Sequence, residues 1–201
     1  MKKIRGFKIK LRKREILRSL KYTSQVDKID QKIENIIQNQ IETTYRLIYP
    51  SAVYETYRKK SNTFGELKDK ITLGSKKVKN IIKDCFAVTV MAATVGKRID
   101  VEIDNLKKNN LTKAFVLDAA ASEAAEQSVN FITRIIRREA KQKECYLSNR
   151  ISPGYGDWPL ESSRELLNML PVEKIEIKIG KKNNTMNPRK SVTAIQGWIQ
   201  E

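Results

Sequence analysis

The chain has 201 residues, of which 40% are hydrophobic, a composition typical of an ordinary globular protein. Its 40 lysines and arginines outnumber 23 aspartates and glutamates, which gives a net charge of +17, and it contains no histidine. The missing imidazole excludes Ser-His-Asp and Cys-His catalytic sites and histidine-ligated zinc from this chain. Cys85 and Cys145 lie far apart, so we expect free thiols rather than a disulfide framework.

The charge and the apolar runs also bear on partners and location. The most apolar stretch, residues 85–96, is too short to span a bilayer, and the basic N-terminus lacks the apolar segment of a secretory signal. We therefore expect a cytoplasmic protein with no membrane partner. Basic residues cluster at 8–18, 134–143 and 181–189 without a nucleic-acid motif or an aromatic platform, so a solvated basic surface or an acidic protein partner accounts for the charge at least as well as a nucleic acid.

The first third of the chain predicts one strand followed by helices. Residues 4–11 alternate apolar and basic side chains, as in a short edge strand, and residues 12–20 are compatible with a short helix. From 26 to 48, isoleucines and other apolar residues recur at three- and four-residue steps, which predicts a helix that ends before Pro50. Residues 52–64 predict an extended strand.

The middle of the chain predicts two helices around a buried strand. Residues 76–82 suit a short helix, and the unbroken apolar run at 85–94 predicts a strand buried on both faces and ended by Gly96. A long helix begins with residues 111–127. Its alanine-rich part, 119–125, favours close packing against another helix, although small side chains would also admit a ligand.

The C-terminal third predicts a helix over 160–170, which follows Pro159, and two alternating segments at 172–179 and 192–199. A lysine- and asparagine-rich link joins the two segments and suits a hairpin or a longer connection. Too little sequence separates them for a helical crossover, so the pattern predicts an α+β fold with an antiparallel sheet.

A Pro- and Gly-rich loop at residues 150–161, RISPGYGDWPLE, is the best candidate for a binding site. Its prolines restrict the backbone, and its glycines let it turn sharply against a ligand. Arg150 offers a planar fork for a carboxylate, Tyr155 offers an aromatic face, and the backbone of Ser152 and Gly154 can read an adenine edge. By spacing alone the same pattern also fits an ordinary turn.

The identity of these residues carries more information than their spacing. The loop resembles the RxSPGYGDW-type signature of the activation-domain family of cobalamin-dependent methionine synthase. Residues 179–180 with 186–193 are similar to the family's IG...M.P.KSVS segment, and residues 92–96 with 117–126 are similar to its TLG...LDA...E portion. The resemblance spans most of the chain, which reads as a stand-alone form of the domain.

The resemblance implies a twisted antiparallel sheet packed with long helices, in one domain over residues 1–201. Residues 1–50 would form a helical N-terminal part and residues 85–201 the core that binds S-adenosylmethionine. In that family the domain presents S-adenosylmethionine to a cobalamin whose cobalt has been oxidised, and a flavodoxin-like or other electron donor supports the rescue. The implied role is that of an accessory component without a catalytic site, whose cobalamin is held by a separate methionine synthase subunit.

Five ligand contacts follow from the resemblance: Glu126, Arg150, Ser152, Gly154 and Tyr155. Arg150 would pair with the ligand's carboxylate, and Glu126 would accept hydrogen bonds from its ammonium and complement its sulfonium charge. Glu123 competes with Glu126 for that assignment. Structural or partner-facing roles are expected for Met186, Asp157, Trp158, Pro188, Lys190 and Ser191.

Some contacts of the family have no counterpart in this sequence, namely an aromatic residue that follows the KSVS-type segment and an acidic residue from a linker. We therefore expect a partner to complete the site. Two alternatives remain open at this point: a basic nucleic-acid-binding protein, and an interaction scaffold for another corrinoid methyltransferase that has lost ligand binding.

Overall fold

The computed structural model describes residues 1–22, 30–58, 75–180 and 185–200. Five strands form one sheet in the order β1-β2-β3-β7-β4, and they are β1 Lys2–Arg5, β2 Ser51–Arg58, β3 Ala87–Thr94, β4 Cys145–Leu147 and β7 Ser191–Gln200. All neighbouring strands are antiparallel. The short strands β5 Lys178–Ile179 and β6 Met186–Asn187 pair separately. The structure confirms the predicted α+β class with its antiparallel sheet.

Six α-helices lie in the described part of the chain: α1 Lys13–Ser19, α2 Gln31–Leu47, α3 Lys76–Ile82, α4 Arg98–Asn109, α5 Leu111–Lys141 and α6 Ser162–Asn168. A 3-10 turn covers Val172–Ile175. The helices predicted at 12–20, 76–82, 160–170 and from 111 onward are confirmed. None of these described helices is both long and apolar enough to cross a membrane.

Two predicted elements extend into residues that the structure does not describe. The helix predicted from 26 to 48 is α2, which begins after Asp30, whose carboxylate accepts a hydrogen bond from the Lys32 amide at 2.8 Å. The predicted first part of this helix, 26–29, lies outside the described residues. The strand predicted over 52–64 is β2 as far as Arg58, and 59–74 lie outside them as well.

Strand β3 lies at the centre of the sheet, and every one of its residues is buried, as its apolar run predicts. On one face Val90 packs with Ile195 of β7 and with Trp158 of the loop. On the other face Met91 packs with Ile132 of α5. The loop and the long helix thus pack on opposite faces of the sheet.

The alanine-rich part of α5 packs against other helices. Ala120, Ala121 and Ala124 are fully buried in a cluster with Ile37 and Ile41 of α2. Small side chains let the two helix backbones approach closely, and this packing accounts for the alanines without a ligand.

The sequence left a hairpin or a longer connection open between 172–179 and 192–199, and the hairpin is wrong because the two segments do not pair with each other. Residues 172–175 form a 3-10 turn, and β5 pairs with β6, whereas β7 pairs along its length with β3. Most of β7 is buried, because this strand lies inside the sheet, between β3 and β4. Alternation along one segment cannot reveal such long-range pairing.

The strand predicted over 4–11 is displaced, because only Lys2–Arg5 pairs with β2. Gly6 has a φ of +63°, which turns the chain away from the sheet, and Phe7 then stacks on Phe131 with ring centroids 4.3 Å apart. Helix α4 was not predicted, because Ile99, Val101 and Ile103 also alternate as a strand would.

Candidate ligand-binding site

A cleft of about 650 Å³ opens beside the beginning of β7. Residues from six parts of the fold line it: Lys77 and Asn80 of α3, Glu126 of α5, Arg150, Ser152 and Tyr155 of the loop, Ser163 of α6, Met186 of β6, and Ser191 and Thr193 of β7. Its volume lies in the range of pockets that hold small molecules. The cleft is therefore a candidate site for a ligand of nucleoside size.

The loop over residues 150–161 is anchored to the core at two points. Ile151 exchanges two backbone hydrogen bonds with Ile195 of β7, at 3.0 and 2.9 Å, and Trp158 is buried at 1% exposure. Between them Gly154, at a φ of +89°, donates its amide to the Trp158 carbonyl at 2.8 Å. A side chain at that φ would strain the turn. The anchored ends hold Tyr155 at the surface, where it is 65% exposed.

Arg150 and Glu126 form an ion pair at the cleft, although they lie 24 residues apart in the chain. Arg150 donates through Nη2 to Glu126 Oε1, and their side chains are 20% and 38% exposed. The other terminal nitrogen, Arg150 Nη1, is buried and has no hydrogen-bond partner among the described residues. Since buried donors are almost always paired, this unused donor is available to an acceptor from outside the chain.

The competing carboxylate, Glu123, is engaged elsewhere. It accepts hydrogen bonds from Arg12 Nε at 2.9 Å and from Gln127 Nε2 at 2.8 Å, and it is only 7% exposed. The hydrogen bond from Arg12 to Glu123 raises the pKa of the arginine. The structure thus brings Glu126, and not Glu123, to the wall of the cleft.

Asp157 ties the loop to helix α3. Its carboxylate accepts hydrogen bonds from the Ser75 hydroxyl at 2.6 Å and from the amides of Lys76 and Lys77 at 2.6 and 3.3 Å. These bonds, the one from Ser75 first, lower the pKa of Asp157. The carboxylate fixes the start of the helix that brings Lys77 and Asn80 to the cleft.

Four of the five predicted ligand contacts line the cleft, namely Glu126, Arg150, Ser152 and Tyr155. Gly154 shapes the turn beside it, with its amide already donated to Trp158. The sequence patterns gave no sign of Lys77 or Asn80, and Thr193 ends the segment 186–193 that resembles the family's without having been predicted as a ligand contact. No local signal connects them with the loop, because the tertiary fold brings them there.

The segment before β7 is held against the helices by charged side chains. The Arg189 amide donates to Asp100 at 2.7 Å, and Lys190 Nζ lies 2.8 Å from Asp118 of α5. Ser191 Oγ donates to the Pro188 carbonyl at 2.7 Å. These contacts fix the start of β7, and with it one wall of the cleft.

Comparison with known proteins identifies a related fold. No family model and no curated protein matches the sequence. A solved structure that is similar is the crystal structure of the MetH reactivation domain bound to AdoHcy, with a TM-score of 0.63 over 92% of this chain and 74% of that chain. The fold is that of a methionine synthase reactivation domain. At 12% sequence identity the likeness is one of fold.

Proposed function

We propose that the cleft binds S-adenosylmethionine, and its demethylated product S-adenosylhomocysteine, with the amino-acid end between Arg150 and Glu126. The unused buried donor at Arg150 Nη1 carries this proposal. The solved structure of similar fold, which holds AdoHcy, supports the choice of ligand.

The ion pair between Arg150 and Glu126 matches the charges of that ligand. The amino-acid end is a zwitterion, with a carboxylate that suits the arginine fork and an ammonium that suits Glu126. On binding, one ion pair is exchanged for two, and Nη1 gains an acceptor. Glu126 would also face the positive sulfonium of S-adenosylmethionine, while Ser152 and Tyr155 would close the adjoining wall.

The role that we propose for the bound ligand is methyl donation to a cobalamin held by a separate methionine synthase subunit, with reduction by a flavodoxin-like or other electron donor. This chain, which has no histidine, would bind and orient the donor rather than transfer protons. Methyl transfer from a sulfonium to a reduced corrinoid needs alignment and exclusion of water more than a protein base. Arg150 and Glu126 would supply that alignment.

Titration calorimetry with both nucleosides tests the proposal. We expect Arg150→Ala to weaken binding by about 10- to 100-fold, because hydrogen bonds to a charged group are lost. Arg46→Ala is the matched control, since Arg46 is exposed on α2 and donates to Thr43, outside the cleft lining. The control removes the same charge and should bind as the wild type does.

Two results would contradict the proposal. One is the absence of heat with either nucleoside, both for the protein alone and with a cobalamin-domain partner, which would favour a scaffold without a ligand. The other is tight binding to nucleic acid that falls steeply with salt and is unchanged by Arg150→Ala.

A further inference from the structure

The basic cluster at residues 134–143 has no member in the lining of the cleft, and it lies beside an open edge of the sheet. Strand β4 is the last strand in the sheet order, and it pairs with the end of β7. The cleft lies at the beginning of β7, and Arg137 is roughly 16 Å beyond Glu126 along α5. The edge and the cleft are therefore separate surfaces.

The outer edge of β4 presents backbone groups. The Ser148 amide donates to the Gly197 carbonyl of β7 at 2.9 Å. Since backbone groups alternate between the two edges of a strand, those of Tyr146 also face β7, and the N–H and C=O groups of Cys145 and Leu147 face outward. No strand in the described part of the chain covers them. This edge can accept one more strand.

A groove of about 500 Å³ lies between this edge and the last turns of α5. Ala140 and Leu147 form its apolar part, and Arg137 and Lys141 contribute two exposed cations from α5. Neither cation forms an ion pair or a hydrogen bond with another residue that the structure describes. Glu144 supplies the only carboxylate among the described lining residues, so the groove has a net positive charge.

The spacing of the two cations matches the spacing of side chains on one face of a strand. Arg137 and Lys141 are one helical turn apart, about 6 Å along α5, and every second residue of a strand recurs at about 6.6 Å. Acidic side chains at alternate positions of an added strand can thus meet both cations. Tyr146, 58% exposed, lies on the opposite face of β4, where it can contact the intervening side chains.

Charge decides which strand suits this edge. Cations at an open edge repel a second copy of the chain, because its own edge is equally basic and its net charge is +17. An acidic strand is attracted by the same charges, which also speed its association. The edge therefore fits an acidic partner better than a second copy.

We propose that the outer edge of β4 binds an extended acidic segment of a partner protein by β-strand addition, with Arg137 and Lys141 selecting its charge. The backbone groups of Cys145 and Leu147 supply affinity, and the two cations favour acidic side chains at alternate positions. The surface does not depend on the proposed function, because it shares no lining residue with the cleft.

Fluorescence anisotropy with a labelled peptide of alternating glutamate and valine tests the inference. A peptide of alternating glutamate and proline carries the same charge but cannot pair as a strand, because proline has no backbone N–H. We expect the valine peptide to bind about tenfold more tightly than the proline peptide. The valine peptide should also slow hydrogen exchange at the amides of Cys145 and Leu147.

A double variant tests the two cations. Arg137→Gln with Lys141→Gln should weaken binding of the valine peptide roughly five- to tenfold, because two charge pairs are lost. Lys79→Gln with Lys83→Gln is the matched control, since these exposed lysines have the same spacing and lie outside both the groove and the cleft. The control changes the net charge equally and should bind nearly as the wild type does.

Four results would overturn the inference. Equal binding of the two peptides, or equal weakening by the two double variants, would show attraction to net charge alone. A wild type that dimerises in sedimentation, with slowed exchange at Cys145 and Leu147, would show that a second copy occupies the edge. Tighter binding of a single-stranded oligonucleotide, weakened by the Arg137 and Lys141 changes, would show a nucleic-acid surface instead. None of these results depends on whether the cleft binds S-adenosylmethionine.

Discussion

Helix α5 carries two glutamates three positions apart, Glu123 and Glu126, which have the same side chain but differ in burial and in hydrogen-bond partners. Glu123 is nearly buried and is fully engaged by Arg12 and Gln127. Glu126 lies at a cleft, 38% exposed, and pairs with an arginine that keeps one buried nitrogen free. Glu123 therefore helps to hold two parts of the fold together. The pair formed by Glu126 and Arg150 still has a hydrogen-bond donor, Arg150 Nη1, that a ligand can use. The comparison indicates that partners, not residue type or helix position, separate a structural carboxylate from a binding one.

The two partners come from different parts of the chain. Arg12 precedes α1 and brings the N-terminal segment against α5, so Glu123 joins elements that must meet for the protein to fold. Arg150 is presented by the anchored loop, and the loop is held without Glu126, by Ile151 and Trp158. Loss of Glu123 should therefore be felt in stability and loss of Glu126 in binding.

The largest effect is expected for ligand affinity in Glu126→Ala. Loss of the carboxylate removes the partner of the ligand's ammonium, which should weaken binding about 10- to 100-fold in calorimetry. Glu126→Gln keeps the size and one acceptor, so its loss should be smaller, and larger for the positively charged S-adenosylmethionine than for S-adenosylhomocysteine. Equal losses for the two ligands would show that the carboxylate does not face the sulfonium.

Glu123→Ala should act on folding instead. We expect the free energy of unfolding to fall by about 2 kcal/mol in urea titrations, because a nearly buried carboxylate and its charged hydrogen bonds are lost. Saturating S-adenosylhomocysteine should still stabilise this variant as much as it stabilises the wild type. A weakened ligand response in folded Glu123→Ala would break the distinction between the two glutamates.

Much of the fold could be predicted where the signal is local. Three- and four-residue spacing gave α2 and the long helix, and an unbroken apolar run gave β3. The sequence did not predict which strands pair, since the partner of β7 is β3, more than ninety residues earlier in the chain. Helix α4 was missed because Ile99, Val101 and Ile103 suit either period, and only the 57% exposure of Val101 reveals the helical phase.

The candidate site likewise contains residues that the sequence could predict and residues that only the folded chain reveals. Arg150 and Tyr155 stand in a loop whose residue identities carry the family resemblance, and Glu126 came from that resemblance rather than from any pattern on its helix. Thr193 ended the segment that resembles the family's but was not predicted as a ligand contact, and Lys77 lay in a predicted short helix without an assigned role. Their place at the cleft depends on the pairing of β7 with β3 and on the contact of Asp157 with α3, which are features of the folded chain.

Asp157→Asn tests whether the contact of Asp157 with α3 matters for binding, and its expected effect is smaller than those of the two glutamate variants. The amide side chain would still accept a hydrogen bond but would lose the charge at the start of α3, so the helix should be held less firmly over the cleft. We expect a loss of ligand affinity of roughly two- to fivefold and faster hydrogen exchange in residues 76–82. Faster exchange with unchanged affinity would show that Lys77 and Asn80 do not contribute to binding.

The smallest predicted effect is a pH dependence of the stability, which Asp157→Asn should lack. Because hydrogen bonds from Ser75 and from the amides of Lys76 and Lys77 lower the pKa of Asp157 in the folded protein, its contribution to stability is fully present above the ordinary value of 3.8. It is lost as the pH falls through the lower, folded-state value. Urea unfolding at neutral pH and near pH 3 should therefore show a smaller difference between wild type and Asp157→Asn in acid. A difference that grows on acidification would mean that the carboxylate is not held in its charged form by α3.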